Sequence, residues 1–487
     1  MSLKRTGPPP AGRRGKGAWC DRAWSPRGKF LGAALWAALC LSGPVGAAGA
    51  QRAPVPPVLS EDVAALRQAD QDIARLRMGT VALRVLNADG RPIPHLRVTY
   101  AQRTHEVLFG IFQRRPYTAW AFDLLRGAGI NHATLHFNWA AVEPRPGRFE
   151  WAKLEETWGP HRLAEAGWTL KGHALNFFAE DTTPRYLRAL SAPDLDAAIY
   201  AHVFALVSRY RQDVAFWEAI NEPRQAWSNV LLLNDRQILE VARTASRAIR
   251  DAQPAARILV NLGEPQAPWD FGFVGQAMEA GLDFDAIGLQ FYHNGRPWGT
   301  LRGYPQATLP ELRRTVDHYA GLQKDLHITE LSVPSEAPPG GYGYRGIPWS
   351  PDLQAWYLQA AYALFFAQPR VKAITWWDLT DRDPQTGDHA FIYKGGLVDE
   401  RGQPKPAYHA LKALLEGWTT RGAETTGEDG ELRFRGFGGA YEVVLTDPAT
   451  GERGRVAIEL HERQVSRVVL SWRDGRAAIS EAGTEPE

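Results

Sequence analysis

The stretch AFWEAINEP (215–223) decides how this sequence folds. It carries two carboxylates, Glu218 and Glu222, four residues apart, with Asn221 beside the second and Pro223 directly after it. A helix would stack both acids on one face, but a short apolar run stopped by a turn signal reads instead as a buried strand. Seven further runs of the same kind flank it: VLFGIF (107–112), HATLHFNW (132–139), TLKGHALNF (169–177), RILVNL (257–262), DAIGLQFY (285–292), DLHITELSV (325–333) and VKAITWWDL (371–379). Helical stretches fill the gaps, among them DLDAAIYAHVFALVSRYRQ (194–212) and SPDLQAWYLQAAYALFFAQ (350–368). Eight strand-then-helix units over about 310 residues is the count and size of a (β/α)8 TIM barrel. The rival α/β arrangement, a doubly wound open sheet, would place a Gly-rich phosphate loop after the first strand, and none follows VLFGIF. The predicted barrel spans residues 105–417.

In such a barrel the C-terminal strand ends face the active-site mouth. Glu222 stands at that end of strand four. Glu330, in HITELSV, ends strand seven in the same manner. Glu218 is deeper, where a buried carboxylate or a salt bridge is expected. Strands four and seven face each other across the mouth, so Glu222 and Glu330 can converge on one ligand. Glycosidic bond cleavage needs one carboxylic acid to protonate the leaving oxygen and a second carboxylate at the anomeric carbon.

Several segments extend this reading: NWAAVEPRPGRFEW (138–151), KGHAL (171–175), WEAINEP (217–223), IGLQ (287–290), HITEL (327–331), ITWWDLTD (374–381) and GLVDERGQPKPAYHAL (396–411). Together they resemble glycoside hydrolase family 10, the xylanase family, across most of residues 105–416. The resemblance implies a retaining endo-1,4-β-xylanase-like hydrolase working without cofactor or metal. It implies Glu222 as the acid/base and Glu330 as the nucleophile. It implies that His173, Asn221 and Gln290 hold the reacting sugar and the nucleophile, and that Trp377 forms an aromatic platform beneath that sugar. Trp376, pointing the other way, is expected in the core. In the oxocarbenium-like transition state a bond from Asn221 to the sugar 2-hydroxyl would strengthen.

The sequence also departs from the family pattern. Thr134, Leu135 and Asn138 stand where a Glu-Asn pair and a Lys usually grip the next sugar on the non-reducing side. Phe177 and Phe178 replace a Trp and a His. Tyr292 occupies the place of a His that usually bonds the nucleophile, and Ser332 replaces the Asp that supports that His. The paired loss suggests rewiring with Tyr292 as the new donor, and it bears on whether xylan is the substrate. Glu264, in NLGEP, is an extra acid at the mouth, and His136 and Asn138 are polar neighbours on strand two. The alternatives are a related two-Glu barrel hydrolase on another β-glycan and a catalytically weak glycan-binding protein.

Outside the barrel the sequence changes character. Residues 1–50 run from a basic stretch through FLGAALWAALCLSG to small residues near Ala48–Ala50, the order of a secretory signal. A retained membrane anchor is the alternative. The formal charge of the whole chain is +2, and without this leader it becomes −5, from 48 basic and 53 acidic residues. The basic character therefore belongs to targeting, and nothing points to nucleic acid. Both cysteines, Cys20 and Cys40, lie in the leader, so no disulfide or thiol chemistry is expected after cleavage. A secreted or periplasmic monomer that meets polysaccharide, and no membrane unless the leader stays, is the expectation. Residues 51–79 read as a Pro-rich linker and a polar helix, and 80–104 as a β-hairpin around Asn-Ala-Asp-Gly. Residues 421–473 alternate like an accessory β module that packs with the hairpin from the other end of the chain, and 474–487 read as a disordered tail.

Overall fold

Two strands, β1 (Met78–Leu86) and β2 (Arg97–Gln102), precede eight that are parallel neighbours in chain order. These are β3 (Leu108–Phe112), β4 (His132–His136), β5 (Thr169–His173), β6 (Val214–Asn221), β7 (Arg257–Leu262), β8 (Ala286–Tyr292), β9 (Asp325–Ser332) and β10 (Val371–Trp377). β10 pairs with β3 and closes the sheet into a barrel. The structure, a computed structural model, describes residues 60–112, 118–293, 307–337, 343–381, 391–473 and 475–487. The leader and the Pro-rich linker expected over 1–59 lie outside the described residues. Among the described residues no helix is long and apolar enough to cross a membrane.

All eight barrel strands coincide with the eight apolar runs, because a strand covered on both faces has no reason to alternate. Helices close each unit with local signals: Ser191 caps Ala192–Tyr210, and capping boxes from Asn234 with Gln237 and from Thr308 with Glu311 start Asp235–Ala252 and Leu309–Ala320. The helix Pro351–Phe366 is buried on every side from Leu353 onward. It is sandwiched between the barrel, the helix Pro406–Gly417 and the N-terminal helix Ser60–Leu76.

The accessory segments form two four-stranded sheets, using β11 (Arg421–Thr425), β12 (Glu431–Phe437), β13 (Gly439–Thr446), β14 (Arg453–Leu460), β15 (Gln464–Arg473) and β16 (Arg476–Pro486). One sheet has the order β12-β1-β15-β16, the other β11-β2-β13-β14. Val81, Leu83 and Val85 of one meet Val98, Tyr441 and Val443 of the other in a shared apolar core. Both ends of the chain thus build one small sandwich. Arg77, fully buried, ties it to the barrel: its guanidinium donates to the carbonyls of Phe366, Gln368 and Val371 and pairs with Glu462 at 2.8 Å.

Two expectations are corrected here. β1 and β2 are not a hairpin: Asn87 does close a tight turn, but pairing stops after the Leu86–Pro92 bridge. Pro92 and Pro94 lack the N–H groups that a ladder needs, and the chain crosses to the other sheet. The tail is not disordered either, since β16 pairs antiparallel along β15. It is an edge strand exposed along nearly all its length, so its main-chain bonds left no alternating pattern to read.

Candidate active site

Each residue of the mouth is delivered by the last turn of a barrel strand. β6 ends at Asn221, and Glu222 follows it in a left-handed conformation, φ 50°. A non-glycine residue rarely sits there, and the main chain is locked by the Glu222 N–H, which donates to the Asn261 carbonyl at 2.8 Å. A register shift in β6 between Glu218 and Ile220, of the bulge type that re-aims side chains beside active sites, accompanies this turn. Glu330 lies opposite Gln290 in the β8–β9 register, and both are buried.

Asn261 of β7 is the hub. Its amide nitrogen donates to Glu330 Oε1 at 3.0 Å and to Asn221 Oδ1 at 2.8 Å, with a longer contact to Glu218 Oε2 at 3.4 Å. Its own oxygen accepts from the Thr329 hydroxyl at 2.6 Å. Gln290 adds a second donor to Asn221 Oδ1 at 3.2 Å. With that oxygen committed twice, the Asn221 NH2 is the part left for a ligand. The sequence reading did not single out Asn261. The available signals were one polar residue inside the apolar run RILVNL and Gly288 opposite it, where any side chain would collide with the Asn261 amide.

The Tyr292 hydroxyl donates to Glu330 Oε2. Glu330 therefore receives two donors, one on each oxygen. Ser332 lies apart from this network, its hydroxyl donating to the Gly395 carbonyl. Glu218 is fully buried beneath the mouth, paired with Lys171 Nζ at 2.6 Å and His173 Nδ1 at 2.5 Å. Its side chain faces the barrel interior and, through His173 and Asn261, belongs to the same network as Glu330.

The charges are set apart by these surroundings. Burial first, and then the negative charge of Glu330, push the Glu222 carboxyl well above its ordinary 4.5. Burial also raises Glu330, against the lowering influence of His173, the Tyr292 hydroxyl and Lys171. Glu218 is desolvated too, yet Lys171 and His173 win and hold it down at about 2. Close to Glu222, burial pushes Asp270 up to about 7. Burial also raises Glu264, whose N–H donates to Asp270 Oδ2 at 2.7 Å. One carboxyl thus favours its proton more strongly than its neighbour across the mouth, the division that acid and nucleophile require.

The aromatic residues are arranged less openly. Trp377 lies at the mouth, edge-on to His173 at 5.2 Å between centroids, but Phe112 stacks on it at 3.7 Å. His136 stacks on His173 at 4.9 Å. Trp376 is buried, with its indole N–H on the Gly395 carbonyl. Thr134 Oγ1 and Asn138 Oδ1 are buried with no hydrogen-bond partner among the described residues. Phe178 is buried, whereas Phe177 lies edge-on to the exposed Trp227 at 5.4 Å. No group of His, Cys, Asp and Glu among the described residues has the geometry of a metal site.

Comparison with known proteins gives this site its context. Endo-1,4-beta-xylanase 3 of Hypocrea jecorina is 24% identical over 290 residues, 57% of this chain and 73% of that protein. The anti-sigma-I factor RsgI6 of Acetivibrio thermocellus is 23% identical over 414 residues. That match takes in 82% of this chain but only 49% of the relative, so the chain spans about half its length. Among solved structures, xylanase 10B from Thermotoga petrophila in complex with xylobiose shares the barrel with a TM-score of 0.50. Its identity is 20%, over 64% of this chain and 94% of that one. The model of glycosyl hydrolase family 10 matches residues 131–414, more than half of the sequence. The chain belongs to glycosyl hydrolase family 10.

Proposed function

We propose that this protein is an exported, monomeric, retaining glycoside hydrolase that cleaves a β-1,4-linked polysaccharide related to xylan, with Glu330 as nucleophile and Glu222 as acid/base. The observation that carries the reading is the asymmetry of the two carboxylates. Both are buried at facing strand ends. Glu222 is driven towards its protonated form by burial and then by the charge of Glu330, whereas Glu330 is held by two hydrogen-bond donors, Asn261 and Tyr292.

In the first step a Glu330 oxygen attacks the anomeric carbon as the bond to the leaving oxygen breaks, and that oxygen takes the Glu222 proton. A glycosyl ester on Glu330 results. Glu222, now a carboxylate, then removes a proton from water, whose oxygen attacks the anomeric carbon and releases Glu330. Asn221, oriented by Asn261 and Gln290, is suited to the sugar 2-hydroxyl. His173, paired with Glu218, lies beside Trp377 and is suited to hold the reacting sugar. The xylanases among the relatives support the substrate class, and the leader supports export.

A second reading is recognition of a β-glycan with little turnover. One observation favours it: Phe112 covers one face of Trp377. Purified protein assayed on a panel of β-glycans and aryl β-glycosides separates the two. Hydrolysis that is abolished by Glu330→Ala is expected. In Glu222→Ala, hydrolysis of substrates with poor leaving groups should be lost, while an activated aryl glycoside should still react and be partly rescued by azide. Binding of a glycan without any hydrolysis would overturn the first reading in favour of the second.

A further inference from the structure

We propose that Gly263 is a positioning residue for Glu222: the missing side chain at 263 is what allows the acid/base carboxyl to lie where it does. The inference rests on the acid/base reading of Glu222. Gly263 follows the end of β7, and a Cβ built on it would lie 2.9 Å from Glu222 Cγ, 3.1 Å from Cδ and 3.3 Å from Gln225 Cγ. Carbon atoms in packed interiors settle at about 3.5–4.0 Å, so a methyl group there must displace the Glu222 side chain by roughly 0.5–1 Å.

The backbone cannot yield instead. Ahead of Gly263, the Asn261 carbonyl holds the Glu222 N–H; behind it, the Glu264 N–H is held by the fully buried Asp270. Glu222 already occupies the left-handed region, so its main chain has no easy alternative and the strain falls on the carboxyl-bearing side chain. Gly263 itself is not in that region. Its conformation does not require glycine; the close approach of Glu222 does. By contrast, a Cβ at Gly272, in the helix that follows, meets nothing within 4 Å.

A displaced acid is costly only where protonation matters. Misplacement of a catalytic group by about 1 Å can lower a rate about 100-fold, and departure of an acidic phenol needs little help from an acid. The test is Gly263→Ala assayed on aryl glycosides of graded leaving-group acidity, beside Glu222→Ala and the control Gly272→Ala. For Gly263→Ala we expect a loss of about 10- to 100-fold on the polysaccharide and the poorest leaving groups, falling to a few-fold on the most acidic phenol. Trapping of Glu330 by an activated fluoroglycoside should be complete, and Gly272→Ala should behave as wild type. In a Glu222→Ala background, which lacks both Cγ and Cδ, adding Gly263→Ala should cause almost no further loss. If Gly263→Ala fails to fold alone, folding of the double variant supports the clash, and failure of both overturns it. A loss uniform across leaving groups in Gly263→Ala, with a clear gradient in Glu222→Ala, overturns the role of Gly263 alone. No gradient in Glu222→Ala itself would instead remove the acid/base assignment.

Discussion

Tyr292→Phe isolates one interaction at Glu330, the proposed nucleophile. The substitution removes only the hydroxyl that donates to Glu330 Oε2 and keeps the ring, which packs 4.7 Å from Phe391 between centroids. A hydrogen bond to a charged group is worth about 1.5–3 kcal/mol, and each pK unit corresponds to about 1.36 kcal/mol. The hydroxyl stabilises the carboxylate, so removing it raises the Glu330 pKa further; Asn261 still holds the other oxygen at 3.0 Å. The lower part of the range applies, about one unit. In the proposed mechanism attack requires ionised Glu330, so kcat/KM should fall on the acidic side as this group takes up its proton. In Tyr292→Phe that acidic limb should move to higher pH by about one unit, with the rate above the limb changed far less. The assay is the pH profile of kcat/KM on an activated aryl glycoside, where the acid/base contributes least. A limb that stays in place, or moves to lower pH, would refute the pairing of Tyr292 with an ionised nucleophile.

Three further outcomes are expected. Glu218→Gln leaves Lys171 buried without its counter-charge and should destabilise the fold by about 3–5 kcal/mol near neutrality. Because the folded-state pKa of Glu218 is depressed to about 2, its contribution is present above the unfolded value and lost as pH falls through 2. The penalty measured by urea unfolding should therefore shrink from about pH 4.5 downwards; a penalty below about 1 kcal/mol at pH 7 contradicts it. Glu222→Gln works in the opposite direction: a raised folded-state pKa means stability is lost as pH rises past the unfolded value. The variant should unfold at higher urea at pH 7–8, by about 1 kcal/mol, while losing activity. Arg77→Met leaves Glu462 only the longer pairing with Lys372 at 3.7 Å and takes the donor from three carbonyls; it should destabilise by several kcal/mol, yet kcat of the folded fraction should match wild type.

Legibility followed the locality of the signal. The barrel strands were readable because burial on both faces writes itself as an unbroken apolar run, and Glu222 and Glu330 because each sits at the end of one. Tyr292 was readable as a donor only through the joint change at 292 and 332. Asn261 was not, since its importance arises from four partners, Glu218, Asn221, Thr329 and Glu330, brought together by two other strands. The sandwich misled for a related reason. Asn-Ala-Asp-Gly does form its turn, but sheet membership is decided by partners more than 300 residues away, β12 and β15 for β1 and β11 and β13 for β2. Trp377 was recognised as a mouth residue, whereas its stacking on Phe112 depends on β3 lying beside β10, a consequence of barrel closure.

The most direct test of the two-carboxylate reading is to trap the intermediate. The full-length protein, incubated with a 2-deoxy-2-fluoro β-glycoside bearing an activated leaving group, is digested and the labelled peptide mapped by mass. One sugar per molecule, ester-linked to Glu330 in the HITELSV segment, is the predicted result, with wild-type turnover giving a β-configured first product. Label on another carboxylate, or a first product of inverted configuration, would contradict it.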